Sequence, residues 1–188
     1  MDAHALTVIE PDAIQANVAV YSIWTVEHWR RGKLLSETVD RNIVTDEGLN
    51  QLLRIMFTDG TPIALANWYV LIFKTDTTPA AGTTYATPVF TEETDYDSAT
   101  RPLWQGGSVS GESVSNTANK ASFVCDSTGD GDTIYGGALV GGDGADVKGD
   151  DAEAKGRLYA GAKFGVAKGP LEEDDLLKIT ITLTAADA

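Results

Sequence analysis

A chain of 188 residues, 43% apolar and 22% charged, is long enough to bury a hydrophobic core and too apolar to be wholly disordered. Its formal net charge of −14 argues against a nucleic-acid-binding protein, because such binding depends on Lys and Arg displacing counterions. The same charge argues against binding to an anionic membrane surface. We therefore expect neither nucleic acid nor a membrane as a partner.

Cysteine content and the first residues indicate where the protein resides. Cys125 is the only cysteine, which excludes an intramolecular disulfide and a cysteine-rich metal site. Residues 1–13 have neither a basic start nor an apolar core, and the longest apolar run, Trp68 to Phe73, is strand-sized. We expect no signal peptide, no membrane-spanning segment, and a protein that is made in a cytoplasm and stays soluble there.

The chain divides into an N-terminal arm and one domain. Residues 1–17 contain one proline and no regular apolar period, and such arms either fray or dock on a neighbouring subunit. Ile9 and Ile14 are the candidate interface residues of this arm. Residues 18–188 are predicted to form a single β-sandwich domain with an acidic loop region at about 126–153.

The stretch from Val18 to Thr45 has the pattern of a β-hairpin with its turn at Arg30-Arg31-Gly32. Both alternating sets of residues in the first strand contain apolar side chains, so both faces should be covered, by another sheet or by another subunit. In a regular strand, Trp24 and Trp29 point to opposite faces.

The hairpin tip is a candidate protein interface. Trp29 lies beside Arg30 and Arg31, where an indole is hard to bury within one subunit. Aromatic residues next to arginines are typical of buried contacts between proteins. We therefore take Trp29, Arg30 and Arg31 as candidate interface residues.

The apolar spacing changes from that of a strand to that of a helix between Asn42 and Phe57. The residues that fall at i, i+3, i+4 and i+7 are Leu49, Leu52, Leu53 and Met56. This pattern predicts one short α-helix at about residues 45–57, whose apolar stripe covers a sheet. The Thr45 hydroxyl is a suitable N-cap because it can accept a hydrogen bond from a first-turn amide.

Most of the remaining chain has strand patterns separated by loops. The predicted strands are 67–74, 121–125, 133–140, 156–164 and 177–183. Gly136-Gly137 indicates a bulge or close packing, and residues 108–118 are polar and typical of turns. The prediction is a mainly β fold, either an antiparallel β-sandwich or a jelly-roll-like barrel, with the helix packed on it.

Two acidic segments resemble cation loops. Asp126 to Asp132 places carboxylates around glycines as a calcium loop does, but its twelfth position is Gly137, so an acidic hairpin tip is the preferred interpretation. Residues 141–147 resemble one calcium-binding β-roll nonapeptide, a site that needs stacked repeats. Residues 126–153 hold eight acidic residues and only Lys148 as a base, which favours solvated loops. We predict no metal and no cofactor.

No grouping of residues in the sequence indicates catalysis. His4 and His28 are isolated, and Cys125 lies in an apolar strand, where a core position is favoured over a nucleophile. The paired carboxylates Glu92-Glu93 and Asp174-Asp175 would point to opposite faces of a strand, which does not suit shared acid–base work. We predict that the protein is not an enzyme.

Several segments together resemble a known class of proteins. They are NIVTDEGLNQLL (Asn42 to Leu53), WYVLIF (Trp68 to Phe73), YATPVFTEETDYDSATRPLW (Tyr85 to Trp104), SVSN (Ser113 to Asn116), IYGGALVGG (Ile134 to Gly142), LYA (Leu158 to Ala160) and LKITITLTA (Leu177 to Ala185). In this order the chain resembles small virion proteins of tailed bacteriophages over roughly residues 41–185. The residues before 41 and the acidic insertion at 143–155 have no counterpart in that pattern.

The resemblance implies a non-enzymatic phage virion structural protein that binds the outer capsid surface and cements neighbouring major capsid proteins. It implies the major capsid protein as partner, self-association as a homo-dimer or homo-trimer, assembly in the host bacterial cytoplasm and a final place on the capsid exterior. The alternative is a tail, collar or fibre-associated virion protein with a receptor- or glycan-binding role. A carbohydrate-binding or calcium-dependent module is a third possibility.

Overall fold

The computed structural model describes residues 18–58 and 60–187. Within these ranges the protein is mainly β, with an antiparallel, curled sheet and one α-helix, so the predicted fold class is confirmed. The arm of residues 1–17, with Ile9 and Ile14, lies outside the described residues, and the predictions made for it stay predictions.

The elements follow the predicted order. The strands are β1 (Val18–Arg30), β2 (Lys33–Val44), β3 (Trp68–Phe73), β4 (Ser113–Ser115), β5 (Ala121–Val124), β6 (Ile134–Gly141), β7 (Arg157–Lys168) and β8 (Leu176–Asp187). The α-helix is α1 (Asp46–Phe57), and a 3₁₀ turn covers Leu65–Asn67. The short strand β4 lies in a segment predicted to be turn-like.

All strand pairs are antiparallel and belong to one eight-stranded sheet, in the order β3-β6-β7-β2-β1-β8-β4, with β5 also paired to β8. β2 pairs with β7 only at Ile43 and Val44. The sheet bends there into a half-barrel, so that β3, β6 and β7 face β1 and β8 across the core.

The core fills the space between the two halves of the curled sheet. Trp24 on β1 is fully buried, and its ring centroid lies 6.5 Å from that of Phe164 on β7. A Cβ atom at Gly137 would lie 2.9 Å from the Leu71 carbonyl oxygen and 3.1 Å from the Trp24 indole. Gly137 therefore permits the close approach of β6 to β1, and the predicted close packing at this glycine pair is confirmed.

Residues 91–104, here named the closing segment, span the open side of the half-barrel. On one side, the Glu93 amide donates to the Ile72 carbonyl at 2.8 Å, and the Val70 amide of β3 donates to the Pro102 carbonyl at 2.9 Å. On the other side, the Asp97 amide donates to the Val124 carbonyl of β5 at 3.0 Å. The wall is thus completed by individual hydrogen bonds in place of a regular strand.

The predicted hairpin is confirmed. Arg31 and Gly32, with φ values of 51° and 75°, form a tight turn between β1 and β2. This left-handed backbone matches the twist of a two-residue hairpin. Trp24 points into the core and Trp29 points to the other face, as the strand period predicted.

Helix α1 forms where predicted, and the Thr45 hydroxyl caps it by accepting from the Gly48 amide at 3.1 Å. The expectation that the whole Leu49–Met56 stripe covers a sheet is wrong. Leu49 and Leu52 pack against the core, whereas Leu53 is 54% exposed and Met56 is 69% exposed.

The first turn of α1 decides which side of the helix is buried. The Glu47 carboxylate accepts hydrogen bonds from the amides of Leu158 (2.7 Å) and Tyr85 (2.8 Å), and the Thr45 hydroxyl donates to the Leu158 carbonyl at 2.5 Å. These bonds tie the turn to β7, so the side bearing Gly48 and Gln51 is buried there. These polar contacts rotate the helix so that part of its apolar stripe faces solvent. The spacing of apolar residues in the sequence does not indicate them.

Gly48→Ala tests this docking. In a solvent-exposed helix the change would stabilise by up to about 1 kcal/mol. Here the new Cβ would overlap the carbonyl oxygen of Tyr159, so we expect a loss of about 1–3 kcal/mol in the free energy of unfolding, measured by urea denaturation. Leu53→Ala is the control on the exposed side and should stay within about 0.5 kcal/mol of wild type. A stabilised Gly48→Ala variant would contradict the described contact.

Candidate protein-interaction surface

The outward side of β2, β1 and β8 forms a continuous surface, here named the β1 face. The register places three rows of outward side chains across the strands. The rows are Ile43–Tyr21–Thr184, Arg41–Ile23–Thr182 and Val39–Thr25–Thr180. Val39 and Ile43 of these rows are 62% and 39% exposed, whereas Thr180 is buried, so the β2 side of the β1 face is the part that is open to contact.

The composition of the β1 face differs from that of the protein as a whole. Its three rows contain aliphatic, aromatic and threonine side chains and a single charge, Arg41, although the chain carries a net charge of −14. The Arg41 guanidinium lies over the Tyr21 ring, 3.8 Å from its centroid. An antiparallel sheet facing water usually carries polar and charged residues outward. The next outward row towards the hairpin tip, Glu37–Glu27–Lys178, does carry carboxylates, so the absence of acidic groups is confined to the three rows of the β1 face. Such a local patch with a single charge is typical of a surface that another protein covers.

The edge of β2 adds to this surface. On the side facing β7, β2 pairs only at Ile43 and Val44. The part of β2 before Ile43 has no strand partner on that side within the described ranges. The gap is bridged at Asp40, whose carboxylate accepts from the Gly165 amide at 3.0 Å. Val39, next to this bridge, is 62% exposed. Open strand edges are sites where another chain can add main-chain hydrogen bonds.

Trp29 of the predicted tip is held by residues of its own chain. Its indole donates to the Glu27 carboxylate at 2.8 Å, and the Lys178 ammonium lies 5.2 Å from the indole centroid. Lys120 forms an ion pair with the same carboxylate. Burial alone would raise the pKa of Glu27, but the hydrogen bonds from Lys120 and Trp29 lower it. Trp29 is therefore a half-buried, fixed ring on the same side of β1, separated from the three rows of the β1 face by Glu27.

Arg30 has a role inside the chain that its sequence position did not reveal. Its guanidinium donates to both carboxylate oxygens of Asp175, at 2.8 and 2.7 Å, and to Glu172 at 2.7 Å. His28 Nε2 lies 2.8 Å from the same buried Asp175 carboxylate. The network fastens the hairpin tip to the loop between β7 and β8.

Arg31 is the tip residue that remains available. Its side chain is 87% exposed, and its nearest acidic group, Glu172, is 3.7 Å away. The structure thus brings Trp29 next to the β1 face, ties Arg30 to Asp175 and leaves Arg31 in solvent. The interface role of these three residues stays a prediction.

Cys125 and Asp126 are placed as the sequence indicated. Cys125 is buried, and burial together with the neighbouring Asp126 raises the pKa of its thiol to about 12, which suits a core residue. The Asp126 carboxylate accepts from the amides of Thr128 and Gly129, so this residue shapes a turn. Asp132, the last residue of the same loop, instead points towards Glu93 and Asp95, a grouping that sequence spacing did not reveal.

Comparison of the chain with protein-family models, with curated proteins and with solved structures gives no match in any of the three. In the part of the chain that the structure describes, no helix is long and apolar enough to cross a membrane. The β1 face and its surroundings are therefore the features of the molecule that bear on its function.

Asp175→Asn tests the network at the hairpin tip. Burial would raise the pKa of Asp175, but hydrogen bonds from Arg30, the Glu172 amide and His28 lower it from 3.8 to about 2. The carboxylate therefore stabilises the fold fully above pH 3.8 and loses this contribution as the pH falls towards 2. We expect the variant to lose about 2–3 kcal/mol at neutral pH, and to differ less from wild type near pH 2, in urea unfolding.

Asp174→Asn is the matched control, because Asp174 is exposed, adjacent in sequence and has a positive φ that asparagine tolerates. It should leave stability within about 0.5 kcal/mol of wild type at both pH values. Equal losses in the two variants would show that the network does not carry the effect.

Proposed function

We propose that this protein is a non-enzymatic phage virion structural protein that binds the outer capsid surface and cements neighbouring major capsid proteins. The observation that carries the proposal is the β1 face, three outward rows whose one charged residue is Arg41, next to the row Glu37–Glu27–Lys178, on a strongly acidic protein. The resemblance of residues 41–185 to small phage virion proteins supplies the class of partner.

The distribution of charge supports this orientation. Residues 126–153 contribute eight acidic residues against one basic residue, half of the net charge of the chain. Such a surface repels DNA, so it suits the outside of a capsid better than its interior. Like charges also keep free copies apart, so contacts are favoured at the acid-free β1 face.

The strand pairing beneath the β1 face suits a cementing role. A protein that binds the assembled shell and not its separate subunits stabilises the shell by mass action. Such a protein needs a rigid surface that is already formed before binding, since ordering a flexible one would cost affinity. The β1 face meets this requirement, because its three rows lie on strands that are paired to one another along their length. We propose a homo-dimer or homo-trimer as the binding unit.

Val39→Glu tests the role of the β1 face. The substitution places a negative charge among rows that contain none, at an exposed position whose change should leave folding intact. We expect the copy number per purified particle, measured by gel densitometry against the major capsid protein, to fall about tenfold or more. Thermal melting of the free variant should match that of wild type.

Val89→Glu is the control for this experiment, because Val89 is also an exposed valine but lies in the loop after β3. It introduces the same charge and should leave occupancy unchanged. Normal occupancy of Val39→Glu, or an equal loss in both variants, would contradict binding through the β1 face. A handful of copies per wild-type particle would instead favour the tail-associated alternative.

Deletion of residues 1–17 tests the predicted arm separately. If the arm, with Ile9 and Ile14, reaches a neighbouring subunit, its removal should lower capsid occupancy while the free protein keeps its melting temperature. The double variant Ile9→Asp and Ile14→Asp should reproduce the loss. Wild-type occupancy of the deletion variant would remove the arm from the proposal and leave the β1 face as the binding surface.

A further inference from the structure

Three carboxylates and one lysine meet where the closing segment joins the rest of the barrel wall. Glu93 and Asp95 belong to the closing segment, Asp132 ends the loop before β6, and Lys74 directly follows β3. We name this group the seam cluster. One ligand oxygen from each carboxylate lies within 4.8 Å of those of the other two.

Glu93 is the residue that distinguishes the seam cluster from an ordinary acidic surface. It is only 2% exposed, and its Oε1 accepts a hydrogen bond from the Asp95 amide at 2.6 Å. Its Oε2 is also buried and accepts no hydrogen bond. A buried carboxylate oxygen without a hydrogen-bond donor is costly, so this atom points to a missing partner.

Lys74 lies near the Glu93 Oε2 atom but does not donate a hydrogen bond to it. Its ammonium lies 3.2 Å from Asp132, 3.4 Å from Glu93 and 3.6 Å from Asp95, and its geometry forms a hydrogen bond only with Asp132. One positive charge faces three carboxylates, which leaves the cluster with an excess of negative charge. The Lys74 side chain is about one-third exposed, so its ammonium has access to solvent.

We propose that Glu93, Asp95 and Asp132 form a binding site for one hard divalent cation of the Ca²⁺ class, and that the Lys74 ammonium withdraws to solvent when the ion binds. This proposal goes beyond the capsid-binding role and does not depend on it. It also revises the sequence-based expectation of no metal, which considered the Asp126–Asp132 loop without the closing segment.

The chemistry of the seam cluster favours Ca²⁺ over Mg²⁺. The three ligand oxygens lie within 4.8 Å of one another, so one ion can contact all three. Ca²⁺ accepts oxygen ligands at about 2.3–2.6 Å in a flexible geometry, whereas Mg²⁺ requires a nearly ideal octahedron at about 2.0–2.1 Å and gives up its water reluctantly. Three carboxylates on two irregular segments fit the less demanding ion.

A bound ion would connect parts of the chain that are far apart in sequence. It would join two residues of the closing segment to the loop that leads into β6, across the side of the barrel where the wall is held by individual hydrogen bonds. Binding to the folded state alone raises its stability by mass action. The site is therefore expected to be structural, with an effect on the melting temperature.

The test is calorimetric titration of the full-length, chelator-treated protein with CaCl₂. We expect one site, with a dissociation constant of about 10⁻⁴–10⁻³ M because Lys74 competes with the ion.

Asp132→Asn should weaken binding about tenfold or more, since it removes a charged ligand. Lys74→Met should tighten binding about tenfold, because the competing charge is gone. Ca²⁺ should raise the melting temperature of wild type and of Lys74→Met, but not that of Asp132→Asn.

Asp151→Asn is the charge-matched control, because Asp151 is an exposed member of the acidic loop region. It should bind Ca²⁺ within about twofold of wild type. Absence of a binding heat and of a melting shift, several weak equivalent sites, or equal weakening in Asp151→Asn and Asp132→Asn would overturn the proposal. If Asp132→Asn does not give the wild-type circular dichroism spectrum, Asp95→Asn takes its place. An unchanged or weaker affinity of Lys74→Met would overturn the withdrawal of the lysine.

Discussion

The buried indole of Trp24 holds the two halves of the curled sheet at the distance that the rest of the structure requires. It lies between β1 and the opposite strands β6 and β7, in contact with Phe164 and facing Gly137. Its Nε1 donates to Ser22 Oγ at 2.9 Å, so the one polar atom of the ring is satisfied inside the core. Because one sheet encloses the core, the spacing that this ring sets also determines the curvature of the outer surface.

That curvature makes the outer side of β1 a broad surface at the middle of β2, β1 and β8. In this sheet the inward positions are occupied by side chains such as Trp24, Ile179 and Ile181, and the outward positions of the three rows by threonine, aliphatic and aromatic groups with Arg41 as the one charge. Because β1 has apolar side chains on both faces, each of its two faces needs to be covered. One is covered by the core of the same chain, and we propose that a partner protein covers the other.

Local patterns predicted the hairpin, the helix and the strands, because each depends on side-chain period and turn chemistry. They did not predict the orientation of α1, which is fixed by Glu47 hydrogen bonds to Leu158 and Tyr85. The pairing of His28 and Arg30 with Asp175 was also hidden, since β8 returns beside β1 only in the folded chain. The grouping of Glu93 with Asp132 was missed for the same reason. In each case a long-range polar contact decides the outcome, and short sequence windows contain no signal for it.

The closing segment is held to the barrel wall less regularly than the strands are held to one another. Apart from the short β2–β7 pairing, the wall elsewhere is a ladder of paired strands, whereas here it depends on separate bonds such as those of Glu93 to Ile72 and Asp97 to Val124. Proteins open in cooperative units that follow such differences in local stability. We therefore expect the amide hydrogens of residues 91–104 to exchange with solvent before those of the paired strands. Such an opening would expose the interior next to the packed rings of Tyr96 and Phe123 while the paired strands stay together.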